Sequence, residues 1–290
     1  MSSDLQPELS RLGEWIGRTE LRTDEITAAP QAALSATLDR DDPPPQHGTD
    51  VPPLWHWLYF TPLTRASEIG PDGHARRGGF LPPVPLPRRM WAGGRLQFNH
   101  PLQVGERATR ESRIADVSVK QGRTGSLVFV CVHHAISNAR GVALTEEHDI
   151  VYRDPPQPGA PAVPPQAAPR DEEFVREIVP DPVLLFRYSA LTFNGHRIHY
   201  DRTYVTETEG YPGLIVHGPL IATLLLDLLR REQPRAQVRR FSFRAVWPVF
   251  DIHRFEVCGR EERADQGRRI ALWARDHEGW LAMQASAELV

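Results

Sequence analysis

The chain has 290 residues, of which 40% are hydrophobic and 24% charged, and its formal net charge is −3 at pH 7. These values are typical of a globular protein with one large domain or two ordinary ones. Because the net charge is small and no long run of like charges occurs, the sequence gives no support to nucleic-acid binding or to binding at a membrane surface.

The first residues, MSSDLQPELSRLGEWIG, carry charges where a signal peptide needs an apolar core, so we expect a cytoplasmic protein. The longest apolar run, PLIATLLLDLL, is interrupted by Asp227 and is too short to cross a bilayer. The two cysteines, Cys131 and Cys258, lack the spacing of a zinc site and are far apart in the chain. We therefore expect free buried thiols rather than a disulfide framework or a structural metal.

Two unusual segments occur early in the chain. PLWHWLYF places four aromatic residues close together, which favours a core or interface strand over a wall that stacks on a ligand. Further on, LPPVPLPRRMWAGGRLQF is stiffened by prolines and then places Arg88, Arg89, Trp91 and Arg95 in a turn punctuated by glycines. Guanidinium groups bind phosphates and carboxylates through paired hydrogen bonds, but an arginine-rich loop at a domain edge is an equal alternative.

The first half then ends in segments with strand character, such as RATRESRIADVSVK, GSLVFVCVHHAISN and VALTEEHDIVYR. Residues 154–170, DPPQPGAPAVPPQAAPR, follow them and are too rich in proline to form a core element. We interpret this segment as a semi-rigid linker between an N-terminal half, residues 1–153, and a C-terminal half, residues 171–290.

The second half has one prominent helix, from Pro219 to Arg231, which is apolar on most faces and should therefore be buried. Pro219 fits its first turn, and Arg230 and Arg231 favour its C-terminal end. Strand-like segments follow, and the pair GRRIALWAR and WLAMQASAEL, separated by DHEG, predicts a hairpin. One buried helix followed by antiparallel strands predicts a sheet wrapped around a helix, and the absence of a βαβ rhythm argues against a dinucleotide-binding fold.

The segment FNGHRIHYD, just before this helix, carries the most chemistry. His196, His199 and Asp201 could bind a metal, although no further strong ligand stands at a recognisable spacing. The same residues could simply satisfy a polar turn. A Ser189 nucleophile is disfavoured, because the glycines of a nucleophile elbow are missing.

General acid–base chemistry is the third interpretation of this segment. A histidine can take and give protons near neutral pH, and Asn194 could orient a water or a carbonyl group. The N–H group at Gly218, at the start of the buried helix, could stabilise an enolate-like oxygen. Base, orienting amide and oxyanion site thus lie close together in the sequence.

SALTFNGHRIHYD and EGYPGLIVHGPL resemble the hydratase motif of MaoC-like hot-dog proteins, in which G-D-x-N-P-x-H-x-D precedes H-G and the hot-dog helix. The similarity is to the subgroup that contains mitochondrial 3-hydroxyacyl-thioester dehydratase and bacterial mesaconyl-C4-CoA and itaconyl-CoA hydratases. FLPPVPLPRRMWAGG and WIGRTELRTDEIT look like the N-terminal half of this subgroup. The resemblance implies an α+β double hot dog, with two antiparallel sheets each wrapped around a long central helix. Its N-terminal half shapes the acyl and CoA pocket, and its C-terminal half is catalytic.

The resemblance also assigns roles to individual residues. His199 matches the catalytic histidine, Gly218 the glycine whose N–H polarises the thioester carbonyl, and Asp201 an acid that fixes the loop. The family's catalytic aspartate is replaced by Asn194, which cannot act as a base but can hold water or substrate. His199 must then carry more of the proton transfer, or His196, Asp201 or a carboxylate from elsewhere must help.

The implied reaction is reversible hydration of an enoyl-CoA to a 3-hydroxyacyl-CoA, without a metal or redox cofactor, by a homodimer. Its substrate would be a C5 dicarboxylyl-CoA, either itaconyl-CoA or mesaconyl-C4-CoA, and its product citramalyl-CoA. The alternatives are a non-catalytic protein that binds acyl thioesters, a hot-dog thioesterase and a metal-dependent hydrolase. The residues that we expect to bind the CoA thioester are Tyr188, His196, Arg197, His217, Arg88, Arg89 and Trp91.

Overall fold

The computed structural model describes residues 9, 11–122, 125–154, 164–263 and 267–290. Its strands form one ten-stranded sheet in the order β1-β3-β4-β5-β2-β7-β10-β9-β8-β6, and all neighbouring strands are antiparallel. The N-terminal half supplies β1 (Thr19–Glu25), β2 (Arg88–Phe98), β3 (Arg107–Gly122), β4 (Gly125–Asn138) and β5 (Gly141–Arg153). The C-terminal half supplies β6 (Phe174–Ile178), β7 (Val238–Ala245), β8 (Phe255–Glu262), β9 (Arg268–Arg275) and β10 (Leu281–Leu289).

In the described part of the chain, the sheet is accompanied by the α-helices α1 (Ala28–Thr37), α2 (Pro182–Leu191) and α3 (Gly218–Glu232). The expected buried helix is confirmed as α3, whose residues from Leu220 to Leu229 are all buried. It packs mainly against the strands of the C-terminal half and also reaches β2. The expected hairpin is also confirmed, because β9 and β10 pair around a turn in which Asp276 accepts hydrogen bonds from the N–H groups of Glu278 and Trp280.

The two halves are joined where β2 pairs with β7, from Gly93 opposite Arg244 to Gln97 opposite Arg240. The glycines of β2 permit this joint, because a Cβ atom on Gly93 would lie 2.5 Å from the carbonyl oxygen of Phe243. The sequence suggested a glycine-punctuated turn here, and that expectation is wrong. Arg88 to Phe98 form a strand because β5 and β7 satisfy the backbone hydrogen bonds on its two edges.

The aromatic segment PLWHWLYF is also different from the expected strand. Trp55–Leu58 form a buried 3₁₀ helix between two residues in the left-handed region, Leu54 (φ 70°) and Phe60 (φ 57°). Two prolines precede it and cannot donate to a strand partner. Glu146 of β5 instead accepts hydrogen bonds from the side chains of this segment, from Trp57 and His56.

The proline-rich linker, residues 154–170, lies partly outside the described residues, since positions 155–163 are not described. Its last part contacts the C-terminal half. Ala167 forms an isolated bridge with Trp280, and the Ala168 N–H donates to the Gly279 carbonyl. In the described part of the chain, no helix is long and apolar enough to cross a membrane.

Asp227, the charged residue in the apolar run of α3, is buried and ties the helix to its surroundings. Its carboxylate accepts hydrogen bonds from Arg40 (2.6 Å), Arg176 (3.0 Å) and Arg231 (2.8 Å). Arg40 belongs to the N-terminal half and Arg176 to β6, so one carboxylate connects three parts of the chain. The polar residue is therefore retained in a buried helix because three guanidinium groups satisfy it.

We expect Asp227→Ala to lower the free energy of unfolding by about 2–3 kcal/mol. The loss is smaller than for a fully buried ion pair, because the Arg176 and Arg231 side chains are 30% and 29% exposed. Urea unfolding followed by tryptophan fluorescence measures it. The matched control is Glu177→Ala, which breaks the exposed pair with Arg254 and should cost less than about 1 kcal/mol. Equal losses in both variants would contradict this role of Asp227.

Candidate active site

The segment between α2 and α3 forms a compact turn that carries most of the expected site residues. The side-chain oxygen of Asn194 accepts a hydrogen bond from the backbone N–H of His196 (3.0 Å), and the Asn194 N–H donates to the Ser189 carbonyl (2.8 Å). Arg197–His199 then form a single 3₁₀ turn. Asn194 thus shapes the backbone that presents the two histidines.

His199 is buried, with 7% of its surface exposed, and its ring has one fixed hydrogen bond. Its Nδ1 lies 2.7 Å from the Ile215 carbonyl oxygen, which can only accept, so Nδ1 carries the proton. Nε2 consequently has a free lone pair. Burial lowers the pKa of His199 to about 4, against the opposing effect of the Ile215 hydrogen bond. A neutral imidazole with an available Nε2 is the form of histidine that can accept a proton.

His217 places His199 next to the start of α3. The two imidazole rings stack with centroids 3.6 Å apart, and His217 directly precedes Gly218, the first residue of the helix. His217 is fully buried, and its Nε2 lies 2.8 Å from the Ser189 hydroxyl. His217 therefore holds the ring of His199 in place and is not itself exposed to solvent.

Gly218 has space around its Cα atom, since a Cβ atom there would meet only the Trp91 carbonyl oxygen, at 3.8 Å. The first N–H groups of a helix have no acceptor within the helix, and they carry a positive partial charge. Pro219 has no N–H group, so Gly218 supplies the first donor of α3. His199 and the helix start are therefore arranged as a base beside a donor for an oxyanion.

Tyr188 lies under this arrangement. It is 2% exposed, its ring packs edge-on against His217 at 5.1 Å, and its hydroxyl lies 3.4 Å from that of Thr223. Burial raises the pKa of Tyr188 well above its usual value. The structure thus places Tyr188 behind the histidine pair.

Arg197 and Asp201 close the turn on itself. The Arg197 guanidinium donates to Asp201 Oδ2 through Nε (3.0 Å) and Nη2 (2.7 Å) and lies over the Tyr204 ring. Asp201 Oδ1 accepts from the Tyr204 N–H (3.0 Å), and this bond, followed by the hydrogen bonds from Arg197, lowers the pKa of Asp201. Both side chains therefore have structural partners in the turn.

Two residues that the sequence analysis did not consider, Asp72 and His74, also reach the site. They belong to the segment PDGHARRGGF. Asp72 Oδ2 lies 3.1 Å from Nδ1 of His74, and the His74 ring lies 4.1 Å from that of His196. A DGH triplet in a glycine-containing loop was the local signal, but nothing in the sequence connects it with residues so far along the chain.

The structure groups possible metal ligands differently from the sequence. Asp201 pairs with Arg197, whereas donor atoms of Asp72, His74 and His196 all lie within 4.8 Å of one another. Burial and then the charge of Arg89 lower the pKa of His74 to about 4. Burial, then the charges of His74 and His199, and to a smaller extent that of Arg89 lower the pKa of His196 to about 2. A nearby positive charge disfavours a second cation at this place.

The three expected residues of β2 have different surroundings. Arg88 donates to the Glu209 carbonyl (2.8 Å) and pairs with the Glu209 carboxylate (3.4 Å), so it connects β2 to the segment before α3. Trp91 stacks on His148 at 3.7 Å and donates to the Gly93 carbonyl. Arg89 lies opposite Tyr152 across the β2–β5 pairing and, among the described residues, pairs with no carboxylate.

A second buried polar cluster supports the joint between the halves. Glu146 bonds to His56 and Trp57, and the Trp57 ring packs against Trp91 (4.9 Å) and Phe243 (6.1 Å). Burial raises the pKa of Glu146, but the hydrogen bond from His56 and nearby histidine charges lower it to about 2. An ionised Glu146 thus fixes the aromatic residues where β2 meets β7.

Two surface pockets lie away from His199. One lies between the end of α3 and the C-terminus, and the other contains Arg95, Glu146 and Arg240. The histidine cluster reaches solvent through His74 and Asp72, whose side chains are 19% and 30% exposed.

A family model for hydroxyacyl-thioester dehydratase type 2 matches residues 54–251 of the chain. The chain is 47% identical over 275 residues to mesaconyl-C(4)-CoA hydratase of Chloroflexus aurantiacus, with 95% of this chain and 96% of that protein covered.

Solved structures agree with this match in fold. A MaoC-like dehydratase has a TM-score of 0.73 and 14% identity, with 96% of this chain and 99% of that one covered. A Mycobacterium tuberculosis protein described as a double hotdog has a TM-score of 0.58 and 13% identity, with 95% and 96% covered. The expected double hot dog is thus confirmed, and the chain belongs to the hydroxyacyl-thioester dehydratase type 2 family, whose members are hydro-lyases.

Proposed function

We propose that this chain catalyses the reversible hydration of mesaconyl-C4-CoA to citramalyl-CoA. The relative that is 47% identical over almost the whole chain is named for hydration of mesaconyl-C(4)-CoA. In this thioester the double bond is conjugated with the thioester carbonyl, so adding water at C3 forms an enolate directly. In itaconyl-CoA the double bond lies one carbon further away and needs a prior proton shift. The conjugated substrate is therefore the better fit to a site with one oxyanion donor.

One observation carries the mechanism, namely the hydrogen bond of His199 Nδ1 to the Ile215 carbonyl (2.7 Å). It leaves Nε2 as a base in a buried position beside the start of α3. In the dehydration direction, Nε2 takes the proton from C2, next to the thioester carbonyl. The Gly218 N–H then stabilises the negative charge that develops on the carbonyl oxygen. A second group must give a proton to the hydroxyl that leaves C3.

The free carboxylate of the proposed substrate needs a cation, and Arg89 suits this role. Arg88 and Arg197 already pair with Glu209 and Asp201. Arg89, by contrast, is half-buried and has no carboxylate partner among the described residues, and its charge acts on His74 and His196. A substrate carboxylate at C3 would complete a charge-assisted pair at this point.

We expect His199→Ala to lower kcat by about 100- to 10,000-fold, because it removes the group that exchanges the proton at C2. The decrease in absorbance of the enoyl thioester on hydration measures turnover. The matched control is His253→Ala, since His253 is an exposed histidine elsewhere in the C-terminal half. Circular dichroism should show that both variants are folded. Near-normal turnover by folded His199→Ala would remove His199 from the mechanism.

The pH dependence of kcat/KM should report the low pKa of His199. In the dehydration direction, protonation of Nε2 removes the lone pair that accepts the C2 proton, so dehydration is lost as pH falls through the pKa, which burial lowers from 6.5 to about 4. We therefore expect the acid-side decline of kcat/KM for dehydration of citramalyl-CoA to be centred at about pH 4 rather than near pH 6.5. Circular dichroism at each pH separates this effect from unfolding. A decline centred near pH 6.5 in folded protein would contradict the assignment.

We expect Arg89→Gln to raise KM for mesaconyl-C4-CoA by about 10- to 100-fold, which corresponds to one charge-assisted hydrogen-bonded pair. Crotonyl-CoA has no free carboxylate, so its KM should change little in the same variant. Arg88→Gln is the matched control, because Arg88 is already paired with Glu209 and should not discriminate between the two substrates. A parallel rise for both substrates in Arg89→Gln would show that Arg89 does not bind the carboxylate.

A further inference from the structure

The mechanism needs a group that exchanges a proton with the hydroxyl at C3, and neither Asn194 nor Asp201 supplies it. Asn194 has no titratable proton, and its side-chain oxygen is occupied by the His196 N–H. Asp201 is held by Arg197 and by the Tyr204 N–H. The nearest remaining carboxylate in the described cluster is Asp72, from the N-terminal half.

Asp72 and His74 form an oriented pair. Asp72 Oδ1 accepts a hydrogen bond from the His74 backbone N–H (3.0 Å), and Oδ2 lies 3.1 Å from His74 Nδ1. Burial raises the pKa of Asp72, but the hydrogen bonds and charge of His74 outweigh burial and lower it below the usual range. An ionised carboxylate at Nδ1 leaves His74 Nε2 free and stabilises the ring when it is protonated, as in other carboxylate–histidine pairs.

Hydrogen bonds from Arg197 hold the loop that carries Asp72 and His74 against the turn that carries His196 and His199. The Arg197 N–H donates to the Asp72 carbonyl (2.9 Å), and the Arg197 side chain donates to the Pro71 carbonyl (3.0 Å). Gly73 and Gly195 face each other, and a Cβ atom on Gly73 would lie only 1.8 Å from the Gly195 carbonyl oxygen. The two glycines thus allow the loop of one half to lie directly against the catalytic turn of the other.

Three histidines of the site lie close to one another. His74 lies 4.1 Å from His196, and His196 lies 5.4 Å from His199 between ring centroids. His199 is buried beside the oxyanion donor, whereas His74 and His196 are both half-buried. A substrate with its thioester carbonyl at Gly218 would extend its C3 substituents towards His74.

Arg89 connects the proton-transfer group to the substrate. Burial, and next the charge of Arg89, lower the pKa of His74 to about 4. A substrate carboxylate that pairs with Arg89 would offset this charge and raise the pKa of His74 in the complex. Binding of the dicarboxylyl substrate would therefore favour the protonated form of His74.

We propose that His74, positioned by Asp72, exchanges the proton of the hydroxyl at C3 while His199 exchanges the proton at C2; this inference rests on the proposed function. In dehydration, His199 Nε2 takes the C2 proton, the C2–H electron pair becomes the second bond between C2 and C3, and the C3–O bond breaks. His74 Nε2 gives its proton to the departing hydroxyl, which leaves as water. The site keeps one proton, which moves from His74 to His199, and hydration runs in reverse.

Two reactions separate the roles of the histidines. Hydration of mesaconyl-C4-CoA needs both groups, whereas exchange of the C2 protons of butyryl-CoA in D₂O, followed by mass spectrometry, needs only the base and the oxyanion donor. We expect His74→Ala and His74→Gln to lower hydration by about 100- to 10,000-fold and to leave exchange near that of the unsubstituted chain. Asp72→Asn should lower hydration less and also spare exchange.

Controls use the same two assays. His199→Ala should lose hydration and exchange together, and the exposed His253→Ala should lose neither. If folded His74 variants lose both reactions, or neither, the proposal is overturned. It is also overturned if purified protein holds a stoichiometric divalent cation and loses hydration on chelation, because Asp72, His74 and His196 would then be ligands. Absence of hydration in the unsubstituted chain would instead refute the proposed function, and the role of His74 with it.

Discussion

The hydrogen bond between His199 Nδ1 and the Ile215 carbonyl determines what the site can do. Because a carbonyl only accepts, this one bond fixes the tautomer, the ring orientation and the position of the free Nε2. The same residue anchors the turn from its other side, since the Ile215 N–H donates to the Ile198 carbonyl (3.0 Å) and Ile215 bridges Phe250. The stacked His217 then keeps the ring beside the first turn of α3. The backbone around Ile215 and the start of α3 thus fixes the position of the base, His199, relative to the oxyanion donor, the Gly218 N–H.

The site is shared between the two halves of the chain. The pairing of β2 with β7 makes one sheet of them, and it brings Arg89 and the 70–76 loop to a turn that lies between α2 and α3. Family resemblance assigns the pocket to the N-terminal half and the chemistry to the C-terminal half. The structure instead places a carboxylate–histidine pair from the first half against the histidines of the second. If His74 acts as we propose, both halves of the chain contribute to the chemistry.

Local signals predicted the local features well. Pro219 and the paired arginines predicted both ends of α3 to within one residue, and the DHEG turn predicted the hairpin of β9 and β10. Tertiary context decided the rest. Residues 88–98 form a strand only because β5 and β7 pair with its two edges. Trp55–Leu58 remain a short helix because the buried Glu146 binds the side chains of His56 and Trp57. The contact of Asp72 with Arg197 had no sequence signal, since nothing in a single sequence records which loops meet.

The asparagine at position 194 is understandable from the charge of the proposed substrate. A carboxylate at this position would face a substrate that already carries one near C3, and like charges at close range in a buried site are costly. The amide keeps the hydrogen bond that shapes the turn, because its oxygen accepts from the His196 N–H. The negative charge that stabilises a protonated histidine is instead placed at Asp72, on the far side of the His74 ring. In the proposed mechanism, the imidazole of His74 would separate this carboxylate from the substrate, and Arg89 would pair with the substrate's own charge.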